Sequence, residues 1–122
     1  KFHTAKSKGE KEVTVWGSGK PMREFLYVDD LAEACLFLMR EYDGEEWVNV
    51  GTGKDVTIGE LAQTIKKITG FEGELVFDSS KPDGTPRKLM DVSRLEKAGW
   101  KYKVELEDGI RRVYEEVKQM NF

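Results

Sequence analysis

The stretch VTVWGSGKPMREFLYVDDL, residues 13–31, contains the features that decide the fold class of this chain. Alternating apolar residues up to Trp16 predict a β-strand, and residues 17–21 have the composition of a turn. A second short strand is predicted over residues 25–28. The Asp29-Asp30 pair predicts the start of a helix, because short acidic side chains cap free backbone N–H groups. Two strands and a helix in so short a stretch indicate a mixed α/β domain.

The same alternation of short strands and amphipathic helices continues to the end of the chain. We expect the strand at residues 47–50 to be buried on both faces, one of them against a part of the protein outside this chain. The predicted elements are a helix with apolar residues from Leu31 to Tyr42, a strand at 47–50, a helix from the capping box Thr57–Glu60 to Gly70, a strand at 75–77, a short helix from Ser93 to Gly99 and a last helix from Leu106.

Composition limits the possible classes of protein. The chain has 122 residues, of which 39% are hydrophobic and 35% charged, which suits one globular domain. A net charge of −3 argues against a nucleic-acid-binding protein. The longest apolar runs are far shorter than the roughly 20 residues of a membrane-spanning helix. With one cysteine and one histidine we expect no disulfide or zinc cluster, and a reducing, cytoplasmic location.

The chain begins with KFHTAKSKG, which has the composition of the basic C-terminal end of a helix. We therefore expect residues 1–122 to be a piece of a longer chain, with the helix starting upstream of Lys1.

Two glycine turns with a following lysine, at residues 17–20 and 51–54, raise the possibility of phosphate-binding loops. Both lack the earlier glycine and the later Ser or Thr of a P-loop. Both also lack the third glycine of a dinucleotide-binding fingerprint, since Met22 and Val56 occupy that position. The prediction is that both are ordinary turns.

No catalytic or metal site is predicted in this chain. His3 has no evident partner, and Cys35 lies on an apolar helical stripe, which predicts a buried core thiol. Asp29 and Asp30 could bind a metal ion, but a helix cap beside a solvated carboxylate explains the pair more simply. Tyr114 and Lys118 have the spacing of a Tyr-x-x-x-Lys pair but lie on an ordinary terminal helix.

The remaining chemistry is that of anion binding. Arg23 lies between a glycine turn and a strand, a position from which a guanidinium can contact a phosphate pair. Trp16 ends the preceding strand, where its ring could stack on a base or sugar. Lys81, Arg87 and Lys88 place three cations in one loop. The alternative, which composition alone favours, is that Trp16 packs in the core and the cations are solvated surface.

Three segments resemble the C-terminal part of the GDP-L-fucose synthase family, within the extended short-chain dehydrogenase/reductases. They are VWGSGKPMREFLYVDDLA (15–32), VNVGTGKDVTIGELA (48–62) and VFDSSKPDGTPRKLMDVSRLEKAGW (76–100). The first two are similar across extended sugar-nucleotide enzymes, whereas the KPDG-x-PRK loop is typical of the fucose synthase branch. The resemblance implies a small mixed α/β substrate-binding lobe without the N-terminal Rossmann domain.

The resemblance also implies a function. Such an enzyme epimerises GDP-4-keto-6-deoxy-D-mannose at two carbons and reduces it with NADPH to GDP-L-fucose. The chemistry residues and the NADP(H) site of the family lie in the N-terminal Rossmann domain, so we expect this chain alone to bind no cofactor and to be inactive. The expected partners are a GDP-sugar, that domain and a second copy of the full-length protein.

Four residues match substrate-binding positions of the family. Trp16 matches a tryptophan that lines the substrate pocket, and Arg23 an arginine that contacts the diphosphate. Lys88 matches a lysine of the loop that closes over the nucleotide. Lys1 stands where bacterial members have a substrate-contacting arginine, so the bidentate fork is lost there. Glu74 stands where some relatives have an arginine near the nucleotide, and a carboxylate there would repel a diphosphate.

Other readings stay open from the sequence. The chain could be a lobe of another extended sugar-nucleotide epimerase or dehydratase, including one specific for UDP-sugars. It could also be a non-catalytic module that binds sugar nucleotides, or a domain whose apparent site is only surface charge.

Overall fold

Residues 1–120 are described by a computed structural model with five helices and five strands. The helices are Phe2–Lys8 (α1), Val28–Glu41 (α2), Ile58–Thr69 (α3), Ser93–Ala98 (α4) and Leu106–Val117 (α5). The strands are Glu12–Trp16 (β1), Met22–Glu24 (β2), Asp55–Thr57 (β3), Glu74–Asp78 (β4) and Arg87–Lys88 (β5).

The strands form two small sheets. Strand β1 pairs in parallel with β4, in a register that places Trp16 beside Asp78. Strand β2 is the centre of the second sheet, antiparallel to β3 and parallel to β5. The predicted mixed α/β fold is therefore confirmed for the part of the chain that the structure describes.

The first core lies between α1, α3 and the two-stranded sheet. It contains Phe2, Val13 and Phe71, and the Phe2 and Phe71 rings meet edge to face with centroids 5.8 Å apart. The opening residues form a helix, as predicted, which Gly9 ends in a left-handed conformation with φ 65°. Because Phe2 and Ala5 are buried, this helix is part of the core.

The second core is built around Leu95, which is 1% exposed. Trp100 packs back on α4 as predicted, and its backbone N–H donates to the Leu95 carbonyl at 3.2 Å. Helix α2 contributes Ala34 to this core, and the non-helical segment at 47–50 contributes Val48 and Val50.

Helix α3 begins and ends at the residues that the sequence predicts. The Glu60 N–H donates to Thr57 Oγ1 at 3.0 Å, and the Thr57 N–H donates to Glu60 Oε2 at 2.8 Å. This capping box also holds the pKa of Glu60 below its usual range, mainly through the Thr57 backbone N–H. Gly70 ends the helix at φ 66°.

Two predicted strands are wrong. The strand expected at 25–28 is β2 at 22–24, because its ladder partners β3 and β5 lie beside those residues, and α2 already begins at Val28. Residues 47–50 form no strand, since within residues 1–120 they have no strand to pair with. Their valines are instead half-buried against the second core.

The predictions for the Asp29-Asp30 pair and for Cys35 are also wrong. Tyr27 is the N-cap of α2, and Asp30 is buried, accepting backbone N–H groups from Lys103 at 3.0 Å and Val104 at 2.8 Å. Cys35 is exposed. It lies on an exposed apolar surface that we call the α2 face, comprising Val28, Leu31, Cys35, Leu36, Met39 and the neighbouring Trp47.

None of the helices formed by residues 1–120 has both the length and the apolar composition to span a bilayer.

Candidate functional site

Strand pairing in the three-stranded sheet brings two cations together. Arg23 is paired with Val56 on one side and with Lys88 on the other. Because laterally paired residues point to the same side of a sheet, Arg23 and Lys88 lie next to each other. We call this side, with Val56, the basic face. Neither Arg23 nor Lys88 forms an ion pair among the residues that the structure describes.

The opposite side of the same sheet has its cation neutralised. Arg87 donates from Nε to Asp55 Oδ2 at 2.6 Å and from Nη2 to Asp55 Oδ1 at 3.1 Å. This bidentate pair holds the pKa of Asp55 below its usual range. The prediction that places Lys81, Arg87 and Lys88 in one loop is therefore wrong for the last two, which form β5, and the ladder directs Arg87 away from Lys88.

The guanidinium of Arg23 is fixed at one nitrogen and free at the others. Its Nη1 donates to the carbonyls of Met22 at 2.6 Å and Thr85 at 2.7 Å. Within residues 1–120 its Nε and Nη2 have no hydrogen-bond partner. A Cβ built on Gly84 would lie 3.0 Å from Nη2, so the glycine makes room for the guanidinium. The free edge can therefore donate to an anion.

Trp16 is on the surface rather than in the core. Its side chain is 70% exposed, which excludes the core-packing alternative. The Nζ atoms of Lys1 and Lys81 each lie 5.8 Å from the centre of its ring. Lys1 Nζ also donates to the Thr14 carbonyl at 3.1 Å. The indole thus offers an exposed aromatic surface beside two cations, which suits a flat or apolar group attached to an anion.

Residues 78–88, which we call the connecting loop, link Trp16 to the basic face. Lys81 contacts Trp16, and Thr85 accepts from Arg23. Between them, Asp83 accepts from the Ser18 N–H at 2.8 Å and from the Ser18 hydroxyl at 2.6 Å. These two hydrogen bonds hold the pKa of Asp83 below its usual range, with a smaller contribution from the charge of Lys20.

The second glycine turn also binds a carboxylate of the chain. Glu24 Oε1 accepts from the N–H groups of Thr52 at 2.6 Å and Gly53 at 2.7 Å. Gly53 has φ 69°, and successive N–H groups in such a turn form a concave anion site. Glu24 Oε2 accepts in addition from the Met90 N–H at 3.0 Å.

Both glycine turns are therefore anion sites that the protein fills itself. The expectation of ordinary turns holds in that neither is a P-loop, but it missed their bound carboxylates. A dinucleotide pyrophosphate at either turn would have to displace Asp83 or Glu24 and would be repelled by it. The residues present do not fit a nicotinamide dinucleotide at these turns.

A small polar cavity of about 100 Å³ adjoins Arg23. Glu105 in its wall accepts from the Tyr102 hydroxyl at 2.8 Å and pairs with Lys54 at 3.3 Å. Tyr102 and then Lys54 hold the pKa of Glu105 below its usual range. Lys54 is thus neutralised by Glu105 and does not add to the basic face.

His3, the candidate general base of the sequence, does have a hydrogen-bond partner in the structure. His3 Nδ1 lies 3.3 Å from the Tyr114 hydroxyl, a contact that joins α1 to α5. No group of three His, Cys, Asp or Glu side chains within residues 1–120 could hold a metal ion.

Glu74 lies at the end of the two-stranded sheet opposite Trp16. It is paired with Glu12, whereas Trp16 is paired with Asp78. At the usual strand rise the two ends are roughly 13 Å apart. Glu74 is thus distant from Trp16, and the expected repulsion between Glu74 and a diphosphate stays a prediction.

The sequence identified Trp16, Arg23, Lys88 and Lys1 as site candidates. The structure brings Lys1 to Trp16 and Lys88 to Arg23, and the connecting loop joins the two pairs. Sequence reasoning missed the roles of Glu24, Asp83 and Gly84. The Gly-x-Gly pattern could have indicated the roles of Asp83 and Glu24, because such a turn presents backbone N–H groups that need an acceptor.

The family model for the NAD dependent epimerase/dehydratase family matches residues 1–51. GDP-L-fucose synthase 1 of Arabidopsis thaliana is 57% identical over 94% of this chain, which spans 36% of that protein. A crystal structure of a GDP-L-fucose synthetase from Naegleria fowleri bound to NADP has a TM-score of 0.90 at 32% identity, covering 97% of this chain and 37% of its own.

A second solved structure is MlghC, a GDP-mannoheptose C4 reductase from Campylobacter jejuni with NADP bound. Its TM-score is 0.85 at 42% identity, and it covers 96% of this chain and 42% of its own. The chain therefore spans well under half the length of these proteins. The predicted resemblance to the GDP-L-fucose synthases, members of the extended epimerase and reductase class, is thus confirmed over nearly the whole of this chain.

Proposed function

We propose that this chain is the GDP-sugar-binding lobe of an NADPH-dependent 3,5-epimerase/4-reductase that converts GDP-4-keto-6-deoxy-D-mannose to GDP-L-fucose. The observation that carries the proposal is the basic face. Two cations without ion-pair partners among residues 1–120 lie side by side there, and the connecting loop leads from them to an exposed tryptophan. The identity to GDP-L-fucose synthases supports the choice of sugar nucleotide.

The free edge of Arg23 and the ammonium of Lys88 suit the two phosphates of GDP. A guanidinium can bind phosphate oxygens through two parallel hydrogen bonds, and a lysine adds a point charge. Trp16, with Lys1 and Lys81 beside it, would contact the sugar end of the substrate. Binding energy from the nucleotide then holds the keto-sugar in one orientation for reaction.

The chemistry lies outside this chain in our proposal. Within residues 1–120 the ionisable groups in the cavity beside Arg23 are bonded to one another, since Glu105 accepts from Tyr102 and pairs with Lys54. The glycine turns do not fit the dinucleotide. NADPH, which supplies the hydride when bound, belongs to a Rossmann domain elsewhere in the protein. The residues of this lobe bind and orient the GDP-sugar and take no part in proton transfer.

The α2 face supports the existence of that domain. Met39 is 82% exposed on the same helix as the exposed Leu31 and Leu36, and Trp47, which follows the helix in sequence, is 92% exposed. Several large apolar side chains exposed on one helix are typical of a protein contact. We propose that the Rossmann domain covers it, and that the full-length protein is a homodimer whose contacts lie outside this lobe.

Calorimetric titration tests the proposal. The protein encoded by the whole gene and the 122-residue chain are each titrated with GDP, UDP and NADPH at low salt. We expect both proteins to bind GDP more tightly than UDP, and only the longer one to bind NADPH. Tighter binding of UDP would contradict the assignment and favour a UDP-sugar enzyme.

Measurement of turnover distinguishes an enzyme from a non-catalytic binding module. The full-length protein, supplied with GDP-4-keto-6-deoxy-D-mannose and NADPH, should oxidise NADPH and form a GDP-6-deoxyhexose. GDP binding without NADPH oxidation would support a binding module. Absence of GDP binding by the full-length protein would leave the cations as surface charge and refute the proposal.

A second candidate is a GDP-heptose 4-reductase without fucose synthase activity. The specific observation in its favour is the 42% identity to a GDP-mannoheptose C4 reductase. Both candidates share the GDP contacts and differ in the sugar. Product analysis with each keto-sugar decides between them, and the higher identity of 57% to the plant enzyme favours the fucose synthase.

A further inference from the structure

We propose that Glu24 is a positioning residue, which sets the spacing between Arg23 and Lys88 that the diphosphate requires. The inference rests on the function proposed above. It concerns a carboxylate that follows Arg23 in β2 and points to the other side of the sheet, because side chains alternate along a strand. Glu24 therefore acts on the basic face without contacting a ligand there.

The Glu24 carboxylate joins three segments of the chain. One oxygen accepts from the Thr52 and Gly53 N–H groups at 2.6 and 2.7 Å, and the Thr52 hydroxyl lies 3.3 Å from it. The other oxygen accepts from the Met90 N–H at 3.0 Å. The segments so joined are β2, the 51–53 turn and the chain just after β5.

The bond to Met90 matters because β5 has only two residues, and the Arg87–Asp55 pair anchors the first of them but not Lys88. The parallel pairing of β2 and β5 comprises Met22 with Arg87 and Arg23 with Lys88. The backbone pairing ends there. The next residue of β2, Glu24, connects the two segments through its side chain, which accepts from the N–H of Met90. Without that bond, Lys88 would be the last paired residue of a two-residue strand, and strand ends fray.

The Glu24 carboxylate is tightly packed against Gly51 and Met90. A Cβ built on Gly51 would overlap Glu24 Oε1 and approach Met90 Cε to 3.1 Å. The donors around the carboxylate are all N–H or O–H groups, so an ionised side chain satisfies them best. A glutamine would present an NH₂ group to at least one of these donors and lose that hydrogen bond.

Asp30 offers a matched control. Like Glu24, it is a carboxylate that ties a distant backbone segment, accepting from Lys103 at 3.0 Å and from Val104 at 2.8 Å. It is buried in the first turn of α2, and its hydrogen bonds go to residues 103 and 104 rather than to the segment after β5. Glu24→Gln and Asp30→Asn thus make the same chemical change, and only Glu24→Gln removes a bond to the segment that follows Lys88.

The experiment compares these variants with the wild type in the full-length protein. Melting temperature, the Kd for GDP by calorimetry, and kcat and KM for the GDP-sugar are measured well below the melting point. We expect both variants to melt at lower temperature. Only Glu24→Gln should weaken GDP binding, by about tenfold, the effect of one to two lost hydrogen bonds, and raise KM more than it lowers kcat.

The outcomes separate the inference from the proposed function. Equal GDP affinity of wild type and Glu24→Gln, or an equal loss in Glu24→Gln and Asp30→Asn, overturns the positioning role alone. Absence of GDP binding by the wild type overturns the proposed function and the inference with it. If Glu24→Gln does not fold, Glu24→Asp serves instead: it keeps the charge but cannot reach Met90, and an unchanged Kd there refutes the inference.

Discussion

Arg23 and Arg87 are arginines of the same three-stranded sheet, in neighbouring strands, yet their environments are opposite. Arg87 makes a bidentate pair with Asp55, whose side chain is only 6% exposed. Arg23 has one nitrogen bound to backbone carbonyls, and within residues 1–120 it forms no ion pair with a carboxylate. The side of the sheet on which each lies follows from the strand register.

The difference shows how a small, net acidic domain can keep a local anion site. The protein pairs Arg87 with a carboxylate on one side of the sheet, and its own carboxylates bind the N–H groups of the two glycine turns. The basic face on the other side has no such partner among residues 1–120. The Arg87–Asp55 pair satisfies both of its charges within the fold, whereas a guanidinium with a free edge can bind phosphate. The comparison is consistent with the proposal that Arg87 serves the fold and Arg23 the ligand, and the following variants test that division.

The largest effect is expected for Arg23→Ala. Loss of a charged hydrogen-bond donor should weaken GDP binding by about 1.5–3 kcal/mol, roughly ten- to hundredfold in Kd. The matched control is Arg87→Ala, which removes an arginine from the same sheet and should weaken GDP binding much less, because Arg87 is paired with Asp55 on the opposite side. Calorimetry of both variants decides the point. Similar losses in the two would mean that general positive charge, rather than the basic face, binds GDP.

A smaller effect is expected for Gly84→Ala. The added Cβ would press on Arg23 Nη2 from 3.0 Å and turn the guanidinium away from its free edge. We expect a loss of about 0.5–1.5 kcal/mol in GDP binding, the value of one hydrogen bond. Gly9→Ala is the control for a glycine change away from the site: a Cβ there would meet nothing within 4 Å, but φ 65° strains an alanine, so the melting temperature should fall while GDP affinity stays that of wild type. GDP affinity equal to wild type in Gly84→Ala would contradict the fit described for Arg23.

Asp83→Ala should act through the connecting loop. The variant loses both hydrogen bonds to Ser18, so the loop is held less well between Trp16 and Arg23. GDP binding should weaken by about 0.5–1 kcal/mol with the melting temperature almost unchanged, because the loop is exposed. Stronger GDP binding would mean that Asp83 repels the diphosphate instead of ordering the loop.

The smallest effect concerns pH and the Arg87–Asp55 pair. The pKa of Asp55 is lowered in the folded protein by Arg87, so the pair stabilises above the ordinary aspartate pKa of about 3.9. That contribution is lost as the pH falls through the folded pKa. Denaturant unfolding between neutral and acidic pH should therefore show a smaller acid-induced loss for Arg87→Ala than for wild type. An identical pH profile would show that the pair adds nothing.

Local sequence rules predicted the elements whose causes are local. The capping box from Thr57 to Glu60 and the terminating Gly70 specify α3 by hydrogen bonds between close neighbours, and both are as expected. Gly99 and the packing of Trp100 were predictable for the same reason. The resemblance added the proposed roles of Lys1, Trp16, Arg23 and Lys88 in substrate binding, whereas local rules alone also allowed core packing and solvated surface charge.

The wrong predictions depend on contacts between distant segments. Phe25 and Leu26 have the composition of a strand, but the ladder partners of β2 lie beside residues 22–24. Asp30 serves as an acceptor for backbone at 103–104, which no local pattern reveals. Cys35 lies on an apolar stripe whose covering is not within residues 1–120, so the rule that such stripes are buried fails there.

The parallel pairing of β1 with β4 has a consequence for the order in which the protein folds. Residue 12 is paired with residue 74, so this sheet forms only after a long stretch of chain has been brought back. Helices α2 and α3 can form from local contacts, whereas distant parallel pairing is slow. Trp16 and the connecting loop meet through this sheet. We therefore expect the ligand site to assemble last during folding, and to be among the first regions exposed to proteases when the chain opens locally.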